Sequence, residues 1–145
     1  MLISNGLATM GFGLPAAIGA ALLDRSRPVV AFTGDGGLLM CTAELRTAAR
    51  DGLLLRIVLF ADGELSLIRI KQIQRGYRTD GMSIGEIDWC TLAGSMGVTA
   101  RRCDSEDSLR SALAETEGTV GPVLLDARIS ARTYPEIMKA LRGTP

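Results

Sequence analysis

Two short acidic loops contain the residues best suited to chemistry in this sequence. Gly34-Asp35-Gly36-Gly37 follows the apolar run PVVAFT (residues 28–33) and precedes a stretch of helical periodicity. Glycines at a strand end let a ligand approach the backbone, and a helix N-terminus presents free N–H groups to an anion. The Asp35 carboxylate would repel a phosphate there. A magnesium ion removes that conflict, because it binds one or two carboxylates together with phosphate oxygens.

The second loop, Asp62-Gly63, ends the next apolar run, LLLRIVLFA (residues 53–61). One helix, one loop and one strand separate it from Asp35. If the two strands are neighbours in a parallel sheet, Asp35 and Asp62 converge at the same edge and predict a magnesium site. Each loop alone has an ordinary interpretation, Asp35 as a helix N-cap and Asp62-Gly63 as a turn. The pairing at two successive strand ends favours the metal.

Composition excludes several other kinds of site. The chain has 16 Lys plus Arg against 16 Asp plus Glu, so it lacks the basic surplus of a nucleic-acid-binding protein. Histidine is absent, which excludes a Ser-His-Asp hydrolase and a His-ligated zinc site within this chain. Three widely spaced cysteines, Cys41, Cys90 and Cys103, favour a reducing cytoplasm over a disulfide framework. The glycine-rich start predicts neither a signal peptide nor a membrane span.

The elements that must position the two loops alternate regularly. The sequence predicts helices over 14–23 and 37–50, one capped by Asp88 and stopped at Gly97, one starting at Asp104, and one over 134–142. Strands are predicted over 28–33, 53–61, 98–102 and 122–127, the first buried on both faces. The pattern predicts one domain over residues 1–145, with an α/β fold. Its architecture is three-layer and doubly wound, with a mostly parallel sheet and helices on both faces.

Two motifs carry a resemblance to a known family. The run GLATMGFGLPAAIGA (residues 6–20) resembles the G-L-G-T-M-G-x-G-L-P-A-A-I-G-A run of thiamine-diphosphate enzymes. Gly34-Asp35-Gly36 followed by the strand-end loop DGELSLI (residues 62–68) resembles their diphosphate–magnesium motif. The likeness covers nearly the whole chain and is nearest to acetolactate-synthase-type and pyruvate-oxidase-type enzymes. It matches only their carboxyl-terminal, diphosphate-binding (PP) domain.

The resemblance implies a role for each matching position. The implied cofactor-binding residues are Ala8, Met10, Gly34, Asp35, Gly36, Gly37, Asp62, Glu64 and Leu65. The side chains of Asp35 and Asp62 and the backbone carbonyl of Glu64 would ligate Mg²⁺, and the N–H groups of the two glycines after Asp35 would hold the diphosphate of thiamine diphosphate. Met10 would support the bent cofactor, although alone it would be interpreted as a core methionine. The carbonyl of Ala8, which stands where the family usually has glycine, would accept a hydrogen bond from the cofactor amino group.

The resemblance also implies that the active site is incomplete in this chain. In the family a pyrimidine-binding domain supplies the activating glutamate, and no such domain is present here. Glu44, Glu64 and Glu86 lie in the diphosphate-binding part, so no catalytic residue is expected in this chain. With a pyrimidine-binding domain or subunit, the implied reaction is decarboxylation of a 2-oxo acid with transfer of the acyl-anion equivalent.

Partners and alternatives follow from the same residues. An apolar face around Met10, Phe12 and Leu14 predicts a homo-oligomer. A basic cluster after the second loop (Arg69, Lys71, Arg75 and Arg78) is typical of a solvated helix face, or it meets an acidic substrate or partner. A non-catalytic module that serves interaction or regulation remains an alternative. An unrelated nucleotide-binding or flavodoxin-like domain lacks support, because no GxGxxG or GxxxxGK[ST] motif follows a strand.

Overall fold

A computed structural model describes residues 1, 3–4 and 6–142. The strands are β1 (Val29–Gly34), β2 (Leu55–Ala61), β3 (Thr99–Cys103) and β4 (Val123–Arg128). The helices are α1 (Gly13–Leu23), α2 (Asp35–Leu39), α3 (Glu44–Arg50), α4 (Ser66–Gln74), α5 (Trp89–Ser95), α6 (Glu106–Glu115) and α7 (Tyr134–Arg142), with a 3-10 turn at Ala131–Thr133. All strand pairings are parallel, in the order β1-β2-β4-β3. The α/β fold predicted from the sequence is confirmed.

Apolar side chains project from both faces of the sheet and form two hydrophobic cores. On one face, alternate residues of β2 such as Ile57 and Leu59 pack with helices α1, α2, α3 and α5. On the other, Val58 and Leu125 pack with Ala112 of α6. The helices therefore lie on both faces of the sheet, as the predicted three-layer architecture requires.

The prediction that β1 is buried on both faces is wrong. Ala31 is buried against the α1 side, but Val30 and Phe32 on the opposite face are 55% and 64% exposed. β1 is one of the two edge strands of the described sheet, and α6 packs at the opposite end, on β3, β4 and Val58 of β2. Phe32 stacks on Phe60 of β2, with ring centroids 6.1 Å apart, and leaves an apolar surface on this face.

The single helix predicted over residues 37–50 is two shorter helices. Thr42 Oγ1 donates to the Leu38 carbonyl at 2.9 Å, and the backbone changes to bonds of the i→i−3 kind from Cys41 onward. Hydroxyl bonding to the carbonyl four residues back competes with the helical ladder and bends it. Helix α2 therefore ends at Leu39, and α3 begins at Glu44.

Most helix termini follow the sequence signals. Asp88 caps α5 by accepting from Thr91 N at 2.9 Å, and Gly97 follows the helix with φ +85°. The helix predicted to start at Asp104 starts two residues later, at Glu106, because Ser105 caps it through a reciprocal capping box with Ser108. Leu14, predicted on an exposed apolar face, belongs to α1 and is fully buried in the core. Within the described residues, no helix is long and apolar enough to cross a membrane.

Candidate cofactor and metal site

Asp35 joins the two acidic loops at the carboxyl edge of the sheet. It follows β1 directly, and its side chain is buried, with 5% exposure. One carboxylate oxygen, Oδ1, accepts from Gly36 N at 2.8 Å, and the other, Oδ2, accepts from Gly63 N at 2.8 Å. Charge-assisted bonds of this kind stabilise the carboxylate and fix its orientation. The bond to Gly63 brings the end of β1 and the end of β2 together, as the spacing predicts.

Asp62 and Gly63 form a turn that requires glycine. Asp62 Oδ1 accepts from Glu64 N at 3.1 Å, an Asx turn in which the carboxylate stays half-exposed beside Asp35. Gly63 has φ +76°, and a Cβ there would lie 3.3 Å from the Gly85 carbonyl oxygen. A side chain at this position would strain the turn and crowd the backbone.

A return segment, residues 82–85, pairs with the loop that carries Asp62. Leu65 N donates to the Met82 carbonyl at 2.8 Å, and Ile84 N donates to the Gly63 carbonyl at 2.8 Å. The loop after β2 is thereby held by backbone bonds on its far side as well as by Asp35. This contact is not predictable from the sequence, because the glycine-rich stretch between α4 and α5 contains no signal that identifies its partner.

Gly36 lies where three side chains converge. A Cβ at Gly36 would lie 2.5 Å from Leu65 Cδ2, 3.0 Å from Met10 Cε and 3.5 Å from Ile84 Cδ1. Met10 and Leu65, both predicted cofactor residues, therefore meet directly over Gly36. Ile84, whose side chain completes this apolar cluster, carries no signal in the sequence.

The N-terminal loop packs on the Gly34–Gly37 loop. A Cβ at Gly37 would lie 3.4 Å from Gly11 N, so the two backbones are in close approach. Ala8 has φ +48°, the one positive value for a non-glycine residue in the described chain. Glycine adopts this conformation at low cost, whereas the Cβ of alanine makes it less favourable. Met10 is 38% exposed at the mouth of the site.

Both acidic loops open into a groove of about 1080 Å³. Its walls include every predicted cofactor position except Ala8, together with Phe32, Phe60 and Tyr134. Burial raises the pKa of Tyr134 to about 12, and the Asp62 and Asp35 carboxylates shift it in the same direction. The phenol is therefore neutral and can donate a hydrogen bond beside Asp62. Tyr134 is a second site residue that the sequence did not identify.

The donor set at the sheet edge fits a hard cation. The described residues contain no cluster of three or more His, Cys, Asp or Glu side chains that could hold a metal. Two carboxylates alone leave most positions of an octahedral ion to backbone carbonyls, phosphate oxygens and water, which is the pattern for Mg²⁺ with a phosphate ligand. Each Asp35 oxygen keeps lone pairs beyond its single N–H bond. Gly36 N is occupied by Asp35 in this structure, so its predicted bond to the diphosphate requires a different donor geometry.

The basic cluster lies on and after α4 and is largely solvated. Arg69 approaches Glu64 Oε2 only to 3.7 Å, and Arg78 pairs with the exposed Asp80. Surface pairs of this kind contribute little. The cluster is not part of the two acidic loops.

Comparison with known proteins identifies a family. The family model for the thiamine pyrophosphate enzyme, C-terminal TPP binding domain, matches residues 1–127. Acetolactate synthase of Bacillus subtilis (strain 168) is 35% identical over 129 residues, which cover 89% of this chain and 23% of that protein. The acetolactate synthase isozyme 1 large subunit of Escherichia coli (strain K12) is 37% identical over 149 residues, which cover 99% of this chain and 26% of that protein.

A solved structure shares the fold. The thiamine diphosphate-dependent 4-hydroxybenzoylformate decarboxylase of Rhodococcus jostii RHA1 matches with a TM-score of 0.76 and 27% identity, over 85% of this chain and 23% of that one. The chain thus spans about a quarter of the length of the relatives it matches. The sheet order, the two acidic loops at its carboxyl edge and the family match over residues 1–127 agree, and the chain belongs to the C-terminal thiamine-pyrophosphate-binding domains of thiamine pyrophosphate enzymes.

Proposed function

We propose that this chain holds the diphosphate of thiamine diphosphate through Mg²⁺, as one half of an enzyme that acts on 2-oxo acids. The proposed metal ligands are the carboxylates of Asp35 and Asp62 and the backbone carbonyl of Glu64. The observation that supports this most strongly is the 2.8 Å bond from Gly63 N to Asp35 Oδ2, because it joins the two acidic strand ends. Relatives named acetolactate synthase support the substrate class.

A divalent cation resolves the electrostatics of this site. Two carboxylates beside a diphosphate would repel it strongly where Asp35 is almost fully buried. A bound cation is the largest local charge in such a site and reverses the sign of the interaction. We therefore propose that the chain binds the cofactor only together with the metal.

The remaining predicted residues form the walls of the proposed cofactor site. Met10 and Leu65 meet over Gly36 and form an apolar wall against the cofactor. Gly34 and Gly37 leave the backbone open to the diphosphate, and the carbonyl of Ala8 accepts from the cofactor amino group. When bound, thiamine diphosphate supplies the carbon nucleophile for cleavage next to the ketone of the substrate. This chain's residues bind and orient it.

Activity depends on a partner under this proposal. The activating glutamate comes from a pyrimidine-binding domain or subunit, so the chain by itself turns over no substrate. Met10 and Phe12 are 38% and 41% exposed at the mouth of the groove, which supports burial against that partner and assembly as a homo-oligomer. Cys41, Cys90 and Cys103 are free thiols, in keeping with a reducing cytoplasm.

A chimera tests the proposed function. Residues 1–127 replace the matching segment of the Bacillus subtilis relative, and carbon dioxide release is measured from a panel of 2-oxo acids beginning with pyruvate. We expect turnover that requires Mg²⁺ and thiamine diphosphate. Asp62→Ala should abolish it, while Asp62→Asn, which keeps an oxygen ligand, should retain it. A folded chimera that binds the cofactor and releases no carbon dioxide would favour the non-catalytic module instead.

A further inference from the structure

A second cavity, of about 450 Å³, lies between α4 and the segment that leads into α7. Ser66, Arg69, Ile70 and Ile73 line one side, and Arg132 and Pro135 line the other. The four α4 residues recur with the i, i+3, i+4, i+7 spacing, so a single face of the helix forms the wall. Ser66 also lines the cofactor groove, so the two cavities share this residue.

The wall contains a buried hydroxyl that lacks a partner. Ser66 is 5% exposed, and its Oγ has no hydrogen-bond partner among the described residues. A buried polar group without a partner costs about 1–3 kcal/mol. Because this Oγ is closed off from the cavity in the described conformation, it reaches a ligand oxygen only after the Ser66 side chain changes rotamer.

Two arginine side chains, those of Arg69 and Arg132, line the cavity. Arg69 is 44% exposed and lies 3.7 Å from Glu64 Oε2, too far for a hydrogen bond, so this pair holds it weakly. No carboxylate of the described residues lies within 4.0 Å of the Arg132 guanidinium. Arginine is the side chain best suited to carboxylate and phosphate oxygens, because its planar donors match their geometry.

The other lining residues favour an organic carboxylate over inorganic phosphate. Ile70 and Ile73 of α4 and Pro135 on the opposite side give the cavity an apolar wall that a bare inorganic anion would not use. The volume lies in the range of pockets for small organic ligands. We propose that this cavity binds a small organic carboxylate, with its charge between Arg69 and Arg132, an oxygen at Ser66 Oγ and its apolar body on Ile70 and Ile73. The proposed site adjoins the cofactor groove, with which it shares Ser66.

Calorimetric titration of the full chain with hexanoate tests this proposal, with acetate, 1-hexanol and inorganic phosphate as parallel probes. We expect saturable binding of hexanoate at one site, at least tenfold tighter than acetate or phosphate, and no saturable binding of 1-hexanol. Arg132→Gln should weaken hexanoate binding at least tenfold. The matched control is Arg110→Gln, since Arg110 lies on α6 and pairs only with the exposed Glu106.

Thermal unfolding of each variant confirms that a loss of binding is not a loss of fold. Ser66→Ala provides a second test, because it removes the unpartnered hydroxyl and should weaken hexanoate binding while leaving the chain at least as stable. The proposal is overturned if hexanoate does not saturate, if phosphate binds as tightly as hexanoate, or if Arg110→Gln and Arg132→Gln weaken binding equally.

Discussion

Replacing Gly36 by alanine should separate cofactor binding from folding. Gly36 lies in α2 with a negative φ, so alanine fits its backbone and gains helix propensity of up to about 1 kcal/mol. The added Cβ would lie 2.5 Å from Leu65 Cδ2 and 3.0 Å from Met10 Cε. Because nonbonded carbons prefer about 3.5–4.0 Å, the Leu65 methyl must move by about 1 Å.

The two effects on stability nearly offset each other. Overpacking costs about 1–3 kcal/mol, but the atoms in conflict are the ends of flexible side chains, which keeps the cost near the lower limit. We expect Gly36→Ala to be destabilised by no more than about 2 kcal/mol. The same displacement disturbs both residues of the proposed apolar wall, so affinity for thiamine diphosphate with Mg²⁺ should fall at least about tenfold, or about 1.4 kcal/mol.

The assay combines urea unfolding with calorimetric titration of the cofactor. Gly94→Ala in α5 is the matched control, because a Cβ there meets no atom within 4 Å. It should stabilise the chain by about 0.5–1 kcal/mol and leave binding unchanged. In the Gly36→Ala background, Leu65→Ala should cost less stability than in the natural chain, since it removes the crowded methyl. Cofactor affinity of Gly36→Ala within twofold of the natural chain would refute the role given to Met10 and Leu65.

Three further predictions concern the fold around the site. Ala8→Gly relieves the strain of φ +48° but gives the unfolded chain more freedom, so the free energy of unfolding should stay unchanged or rise by about 1 kcal/mol. Ala8→Val should lower the free energy of unfolding by more than about 1 kcal/mol, because a β-branched side chain fits a positive φ poorly. Chemical unfolding of both variants checks this, and a valine variant as stable as the natural chain would contradict it. Arg56 donates to the carbonyls of Thr116, Thr119 and Gly121 at 2.8–3.0 Å. Arg56→Met should therefore lower the free energy of unfolding in urea by about 2–4 kcal/mol, whereas Arg110→Met, at an exposed arginine, should leave it almost unchanged. Burial raises the pKa of the Asp126 carboxyl, with the Arg128 guanidinium acting in the opposite direction. The folded chain therefore binds the Asp126 proton more tightly than the unfolded chain does, so the free energy of unfolding, relative to that of Asp126→Asn, should fall as pH rises through the folded-state pKa. Unfolding of both proteins from pH 3 to 7 tests the sign. A free energy of unfolding that rises with pH relative to Asp126→Asn would be the contrary result.

The sequence predicts the helices and strands well where short-range interactions, such as helix capping, determine them. The Asp88 cap and the Gly97 stop are local backbone signals, and the structure has both. The strand-end positions of Asp35 and Asp62 follow from the alternation of strand and helix, which fixes the edge where both loops lie. Their contact through Gly63 N needs only that β1 and β2 be neighbours.

The features that the sequence missed depend on non-local contacts. The apolar run of β1 is compatible with burial on two faces, but which face is covered depends on the strand order and on which strands α6 packs against. Ile84 and Tyr134 reach the site from segments distant in the chain, and neither residue type signals a role there. The break between α2 and α3 depends on which way one threonine hydroxyl, that of Thr42, turns.

The most direct test of the central claim is calorimetric titration of thiamine diphosphate into the chain, and into the Bacillus subtilis chimera, in Mg²⁺ and again in EDTA. Asp62→Ala and Asp62→Asn provide matched variants at one metal position. We predict saturable binding in Mg²⁺ for the natural sequence and for Asp62→Asn, with no binding in EDTA or in Asp62→Ala. Equal affinity in Mg²⁺ and EDTA, undiminished binding by Asp62→Ala, or no binding by chain and chimera alike would contradict the account.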